Sequence, residues 1–127
     1  MTRIVFDTSI LVDYLRGNGK AVDVVERVAR GEVDGYISVV TEAELYAGRE
    51  CNTEAGMARV QNIIPLFTKI LLSNEIAQEA GLYRRKYGIG IPDAIIAATA
   101  NLYQASIWTK NVSDFGIIKE TTVEDPY

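Results

Sequence analysis

RIVFDTSILVDYLRG, residues 3–17, decides how the rest of the chain is read. Arg3-Ile4-Val5-Phe6 has the character of a short buried strand, stopped at Asp7 and followed by two hydroxyl residues, Thr8 and Ser9. Ile10, Leu11, Tyr14 and Leu15 then recur at helical spacing until Arg16-Gly17-Asn18-Gly19 ends the pattern. A strand running straight into a helix is the first unit of an α/β chain. The carboxylate at the junction either caps the new helix or faces something positively charged, and this stretch alone leaves both readings open.

The alternation continues along the chain. A second helix is predicted over 20–30, with Val24, Val25 and Val28 on its inner side, then a turn over 31–35. Tyr36-Ile37-Ser38-Val39-Val40 is rich in strand formers, and helical patterns follow at 41–49 and 53–62. Pro65 makes 63–67 an edge strand or an extended link. The longest helical candidate is 74–87, ending in Arg84-Arg85-Lys86; a hinge-like loop over 88–92 leads to a helix over 94–103, where Pro92 suits the first turn. A final strand is predicted over 105–109, and a short turn or helix around Asp114 and Phe115. The expected architecture is α/β: one domain over 1–127, with its core at about 3–118 and a polar tail over 119–127. A central, mostly parallel sheet carries helices on both faces. In such a fold, ligands gather beyond the carboxyl ends of the strands.

Composition narrows the chemistry. At 127 residues and 48% hydrophobic, the chain suits one domain with its own core. It has no histidine, which excludes Ser-His and Cys-His nucleophilic catalysis, haem ligation and imidazole acid–base work. The lone Cys51 excludes an intramolecular disulfide and, without histidine, a structural zinc site. MTRIVFDTS lacks the pattern of an export signal, and the uncharged run 94–109 is too short and mixed to span a membrane, so a cytoplasmic protein is expected. Seventeen acids against 13 bases give a net charge of -4, which argues against a general duplex-DNA binder. It leaves room for a nucleic-acid enzyme whose metal supplies the local positive charge.

Four acids fall near strand carboxyl ends. Asp7 follows the first strand, Glu44 lies one turn inside the helix after the second, Asp93 opens the helix after the long middle section, and Asp114 sits just past the last strand. Each has an ordinary reading: Asp7 as a helix cap, Thr41-Glu42-Ala43-Glu44 as a capping box, Asp93 as a helix-start residue beside Pro92, Asp114 or Asn111 as a turn cap. Glu42 and Glu44 lie about 200° apart around a helix, so only one can face a shared cleft. If the sheet is parallel, the four carboxylates converge, and a hard divalent ion would remove their mutual repulsion. Oxygen ligands suit Mg²⁺ or Mn²⁺.

FDTSILVDYLRG, TEAELYAG, PDAIIAATA and WTKNVSDF, in that order, resemble the signature of PIN-domain nucleases, above all toxin ribonucleases of the VapC type. The resemblance runs from Asp7 to Phe115. It implies metal binding by Asp7, Glu44, Asp93 and Asp114, with Ser9, Thr109 and Asn111 in support. It also implies a Mg²⁺-dependent endoribonuclease with an RNA substrate, a homodimer, and a cognate antitoxin as partner. Lys110 stands where that family often has arginine, keeping the charge without the bidentate fork. Arg49, Arg59, Arg84, Arg85, Lys86 and Lys110 are the candidates for RNA backbone contacts, and Tyr14, Tyr46 and Tyr87 could stack on bases or line the core. Three rival readings are a phosphoacceptor domain of receiver type, a PIN-like binding module with little turnover, and a nuclease acting on another nucleic acid.

Overall fold

The computed structural model describes residues 1–127 and holds a five-stranded, wholly parallel sheet. Its elements are β1 (Arg3–Phe6), α1 (Thr8–Leu15), α2 (Gly19–Ala29), β2 (Asp34–Ser38), α3 (Val39–Ala47), α4 (Glu54–Ile63), β3 (Thr68–Ile70), α5 (Asn74–Tyr87), α6 (Ile91–Leu102), β4 (Ser106–Trp108), α7 (Val112–Phe115) and β5 (Val123–Glu124). The strands lie in the order β3-β2-β1-β4-β5. The chain therefore builds outward from β1 through β2 to β3, then returns to the other side of β1 for β4 and β5. This reversal opens a crevice between the carboxyl ends of β1 and β4. A receiver domain has the strand order 2-1-3-4-5, so this topology removes that rival.

Strand alternation divides the core in two. Ile4 and Phe6 of β1 join Ile10 and Leu11 of α1, Val24, Val25 and Val28 of α2, and Val60 and Ile63 of α4 on one face. Val5 points the other way, with Ile107, Ile76, Tyr83, Phe115 and the alanines of α6. A parallel strand buried on both faces needs an unbroken apolar run, which is what Ile4-Val5-Phe6 supplies. Ala94, Ala97, Ala98 and Ala100 are wholly buried, so α6 seats close to the sheet and to α5. Gly88 ends α5 in the left-handed conformation at φ 74°, where a side chain would be strained. Arg84 then fixes the hinge by donating from Nη1 to the carbonyls of Gly88 (3.2 Å) and Ile89 (3.1 Å). That hinge delivers Pro92 to the first turn of α6, with Asp93 beside it.

Three expectations need correction. The β-rich segment 36–40 is only partly strand: Ser38 accepts from the Val40 N–H and starts α3 at Val39. A good N-cap here overrides the strand preference of two valines. Thr41 is consequently inside α3 and fully buried, so it heads no capping box. The apolar stretch 63–67 is the end of α4 and a 3-10 turn at Ile64–Leu66, which accommodates Pro65; the edge strand β3 begins just after it. Lastly, 119–127 is no detached tail. Val123 and Glu124 pair with Ile107 and Trp108 and form the sheet's far edge. A two-residue edge strand with a charged member carries no apolar alternation to reveal it.

The alanine face of α6 has no space for larger side chains. Ala97→Leu should cost about 1–3 kcal/mol of stability by overpacking, read as a lower urea midpoint. An unchanged midpoint would mean that α6 does not lie as close to its neighbours as described.

Candidate active site

Asp7 occupies the N-cap position of α1, yet its side chain makes no cap bond. Four other helices are capped by side chains, those of Asn18, Ser38, Thr53 and Ser73. The carboxylate of Asp7 instead turns toward β4 and is only 4% exposed. Its Oδ2 accepts two hydroxyl hydrogen bonds, from Ser9 and from Thr109, both at 2.8 Å. Those hydroxyls are held in turn by main-chain donors: Lys110 N–H to Ser9 Oγ at 3.1 Å, and Asn111 N–H to Thr109 Oγ1 at 2.9 Å. The Asp7 N–H donates to the Trp108 carbonyl at 2.9 Å, so the ends of β1 and β4 are tied by both backbone and side chain. Both hydroxyls land on one oxygen, and Oδ1 is left without a protein donor. The carboxylate is held in place by hydroxyl hydrogen bonds and by no ion pair.

Glu44 lies in the second turn of α3, half-buried. Thr8 donates to its Oε1 at 2.7 Å, and the Thr8 oxygen lies 3.1 Å from the hydroxyl of the buried Thr41. Thr8 and Thr41 were not singled out from sequence as site residues. The available signal was the pair of hydroxyls after Asp7: Ser9 folds back on Asp7 while Thr8 reaches across to α3. Glu42 faces elsewhere and pairs with Lys69 at 2.8 Å.

Asp93 stands in the first turn of α6, favoured there by the helix dipole. Even so, its pKa is pushed up to about 6, first by burial and then by the negative charges of Asp7, Glu44 and Asp114. Asp7, Glu44 and Asp114 therefore all lie within electrostatic reach of Asp93. Asp114, exposed on α7, shares with Asp93 a cleft of about 470 Å³ also lined by Tyr87, Gly88, Ile89, Gly90, Ser113 and Ile117. The side chain of Asn111 caps nothing; its carbonyl receives the N–H of Asp114 at 3.1 Å. None of the seven ion pairs in the molecule includes Asp7, Glu44, Asp93 or Asp114. No three acids close to the spacing of a finished metal cage.

The basic residues divide in use. Arg84 is spent on the hinge carbonyls, Arg59 lies 3.6 Å from Glu50, Lys86 is 3.3 Å from Glu120, and Lys110 is held by Asp125 at 2.8 Å. Arg49 and Arg85 are exposed. Tyr87 is half-buried beside the cleft, with its hydroxyl donating to Glu120 Oε1 at 2.5 Å. Tyr14 packs against the first core, and Tyr46 is 40% exposed. No helix is long and apolar enough to cross a membrane.

This geometry can be set beside known proteins. The family model of the PIN domain matches residues 4–115. Ribonuclease VapC19 of Mycobacterium tuberculosis is 32% identical over 127 residues, covering 95% of this chain and 97% of the relative. Ribonuclease VapC10 of the same organism is 33% identical over 122 residues, covering 92% and 89%. Among solved structures, a toxin-antitoxin complex from Klebsiella pneumoniae aligns with a TM-score of 0.80 and 31% identity, covering 98% of each chain. The DNA-bound VapBC of Salmonella typhimurium, at 20% identity, shares the fold with a TM-score of 0.85 over the whole of both chains. A family model that spans nearly the whole sheet, with relatives above 30% identity over almost their full length, shows that this chain belongs to the PIN-domain family, alongside the VapC proteins.

Proposed function

We propose that this protein is a metal-dependent endoribonuclease, the toxin of a toxin–antitoxin pair, acting in the cytoplasm. The observation that carries the reading is four acids around one crevice with no basic side chain to neutralise them. Such an arrangement costs free energy unless a cation is bound, and strained ionisable clusters of this kind mark functional sites. The donors are all carboxylate oxygens, which fits Mg²⁺, with Mn²⁺ as a substitute. Asp7, Glu44 and Asp93 would hold the ion, with Asp114 completing the set at the rim. Bound there, the cation would lower the pKa of a water molecule and neutralise charge gathering on a phosphodiester.

The chain's own residues do the rest. Ser9 and Thr109 fix the Asp7 carboxylate through Oδ2 and leave Oδ1 without a protein donor, free for a cation. Thr8 orients Glu44 in the same way. Hydrolysis would join the water oxygen to phosphorus and break the bond to the 3′ oxygen, which leaves with a proton. The products are a 5′ phosphate and a 3′ hydroxyl. RNA as substrate rests on the VapC ribonucleases among the relatives, and an antitoxin partner on the toxin-antitoxin complex among the solved structures. A homodimer is part of the same reading. Arg49 and Arg85, exposed, are the better candidates for phosphate contacts.

Asp7→Asn should lower Mg²⁺-dependent RNA cleavage by roughly 10²-fold or more with the fold intact, because one ligand charge is lost. Glu44→Gln should do the same, whereas Glu42→Gln should leave cleavage near wild type. Wild-type cleavage that persisted undiminished in excess EDTA would overturn the metal mechanism, and a larger loss at Glu42 than at Glu44 would mean that the other face of α3 lines the site.

A second outcome concerns stability. Between the ordinary carboxyl value of 3.8 and about 6, the folded chain keeps a proton on Asp93 that the unfolded chain has released. Stability therefore falls as pH rises through that window, and the charged Asp93 strains the metal-free fold at pH 7. Asp93→Asn should raise the metal-free melting temperature at pH 7 by about 3 °C while abolishing cleavage. Mg²⁺ should raise the melting temperature of the wild type and leave that of the variant unmoved. A variant that melts lower than wild type at pH 7 would contradict the assigned charge cluster.

A further inference from the structure

The polar residues that end this chain close a series of contacts that leads back to Asp7. Asp125, just beyond β5, turns both carboxylate oxygens to Lys110 Nζ, at 2.8 and 2.9 Å. The ring of Tyr127 lies against the same ammonium, 4.0 Å from Nζ to the ring centroid. Tyr127 is itself pinned at both ends: its N–H donates to Asp125 Oδ1 at 3.0 Å, and its hydroxyl donates to Asp13 Oδ2 on α1 at 2.6 Å. The main chain adds a Thr109 N–H bond to the Glu124 carbonyl at 3.0 Å. On the inner side, the Lys110 N–H donates to Ser9 Oγ, and Ser9 with Thr109 supplies the two hydroxyls on Asp7 Oδ2.

We propose that Asp125 and Tyr127 form a strap that clamps Lys110, holding the loop after β4 where Ser9 and Thr109 can orient Asp7. Lys110 is then a positioning residue and no contact to RNA phosphate. This rests on the reading of the acid crevice as the nuclease site. Three observations favour it. The ammonium of Lys110 is already committed to a carboxylate and an aromatic face, with its side chain 29% exposed, so reaching phosphate would mean breaking both contacts. Half-exposed pairs of this kind contribute little to global stability, and β5 is already held by main-chain pairing, so their effect is local. Moreover, the placement they secure is demanding. Two hydroxyls must stay within hydrogen-bond range of a single oxygen, and displacement of a reacting group by about 1 Å can cost 10²-fold in rate.

The test uses Asp125→Asn, Tyr127→Phe, the double variant, Lys110→Met and Lys110→Arg in the full chain. Amide hydrogen exchange of the metal-free protein is measured by NMR at Lys110 and Asn111, whose N–H groups bond Ser9 and Thr109. The strap predicts about tenfold faster exchange at these two amides in Asp125→Asn and Tyr127→Phe, with exchange at Val5 and Phe6 of β1 unchanged. It also predicts about tenfold lower kcat with KM and salt dependence unchanged, and a double variant no worse than either single one. Lys110→Arg should keep kcat within about twofold, because a guanidinium can grip the carboxylate and stack on the ring. Unchanged exchange at Lys110 and Asn111 would overturn the strap. So would a raised KM and weakened salt dependence for Lys110→Met beside normal cleavage by the Asp125 and Tyr127 variants, since Lys110 would then be a phosphate contact. If wild type cuts no RNA, the proposed function falls, and the exchange rates alone uphold or overturn the strap.

Discussion

A buried carboxylate held by hydroxyls, with no basic side chain paired to it, is the constraint on which the rest of this structure depends. Asp7 lies buried just past the end of the central strand. Two hydrogen bonds, from the hydroxyls of Ser9 and Thr109, hold its carboxylate. The Thr109 bond, with the Asp7 N–H bond to the Trp108 carbonyl, also joins β1 to β4, the two strands at which the order of the sheet reverses. The interaction that fixes the anion is thus the one that closes the crevice. Removing it would loosen the site and the central strand pair together.

Around this anchor the fold collects charge where it is least easily tolerated. Asp93 enters at the start of a helix whose small residues let it sit deep against the sheet, and Glu44 arrives from α3 on the other side. Nearby bases are occupied elsewhere: Lys69 by Glu42, Lys110 by Asp125, Arg84 by the hinge carbonyls. A chain with 13 basic residues had the means to neutralise four acids and did not use them. Stability is lost at this place, and the ability to hold a hard cation and a phosphodiester is what such a loss can sustain.

Much of the fold was legible because it obeys local rules. Ile4-Val5-Phe6 is apolar on both faces, the helix over residues 74–87 ends in three basic residues followed by a left-handed glycine, and Pro92 opens α6. The misreadings share a cause. Val39-Val40 look like strand until the Ser38 cap is counted, and Val123-Glu124 look like tail until a neighbouring strand gives them partners. In the site, the acids could be picked out because Asp7, Glu44 and Asp114 come soon after strands and Asp93 opens a helix beside Pro92. Thr8 and Thr41 could not, since a hydroxyl near a helix start has an ordinary capping reading in almost any sequence.

By itself, then, the sequence determined the α/β alternation, the absence of imidazole chemistry and of an intramolecular disulfide, and the four acids of the candidate site. Those are properties of local composition and spacing. Only the tertiary structure decided that Asp7 is oriented by hydroxyls and caps nothing, that Glu44 and not Glu42 turns toward the crevice, and that the last residues reach back to Lys110. The reason is distance along the chain. Thr109 stands 102 residues from Asp7 and Tyr127 stands 114 from Asp13, and contacts so remote exist only once the sheet has ordered its strands.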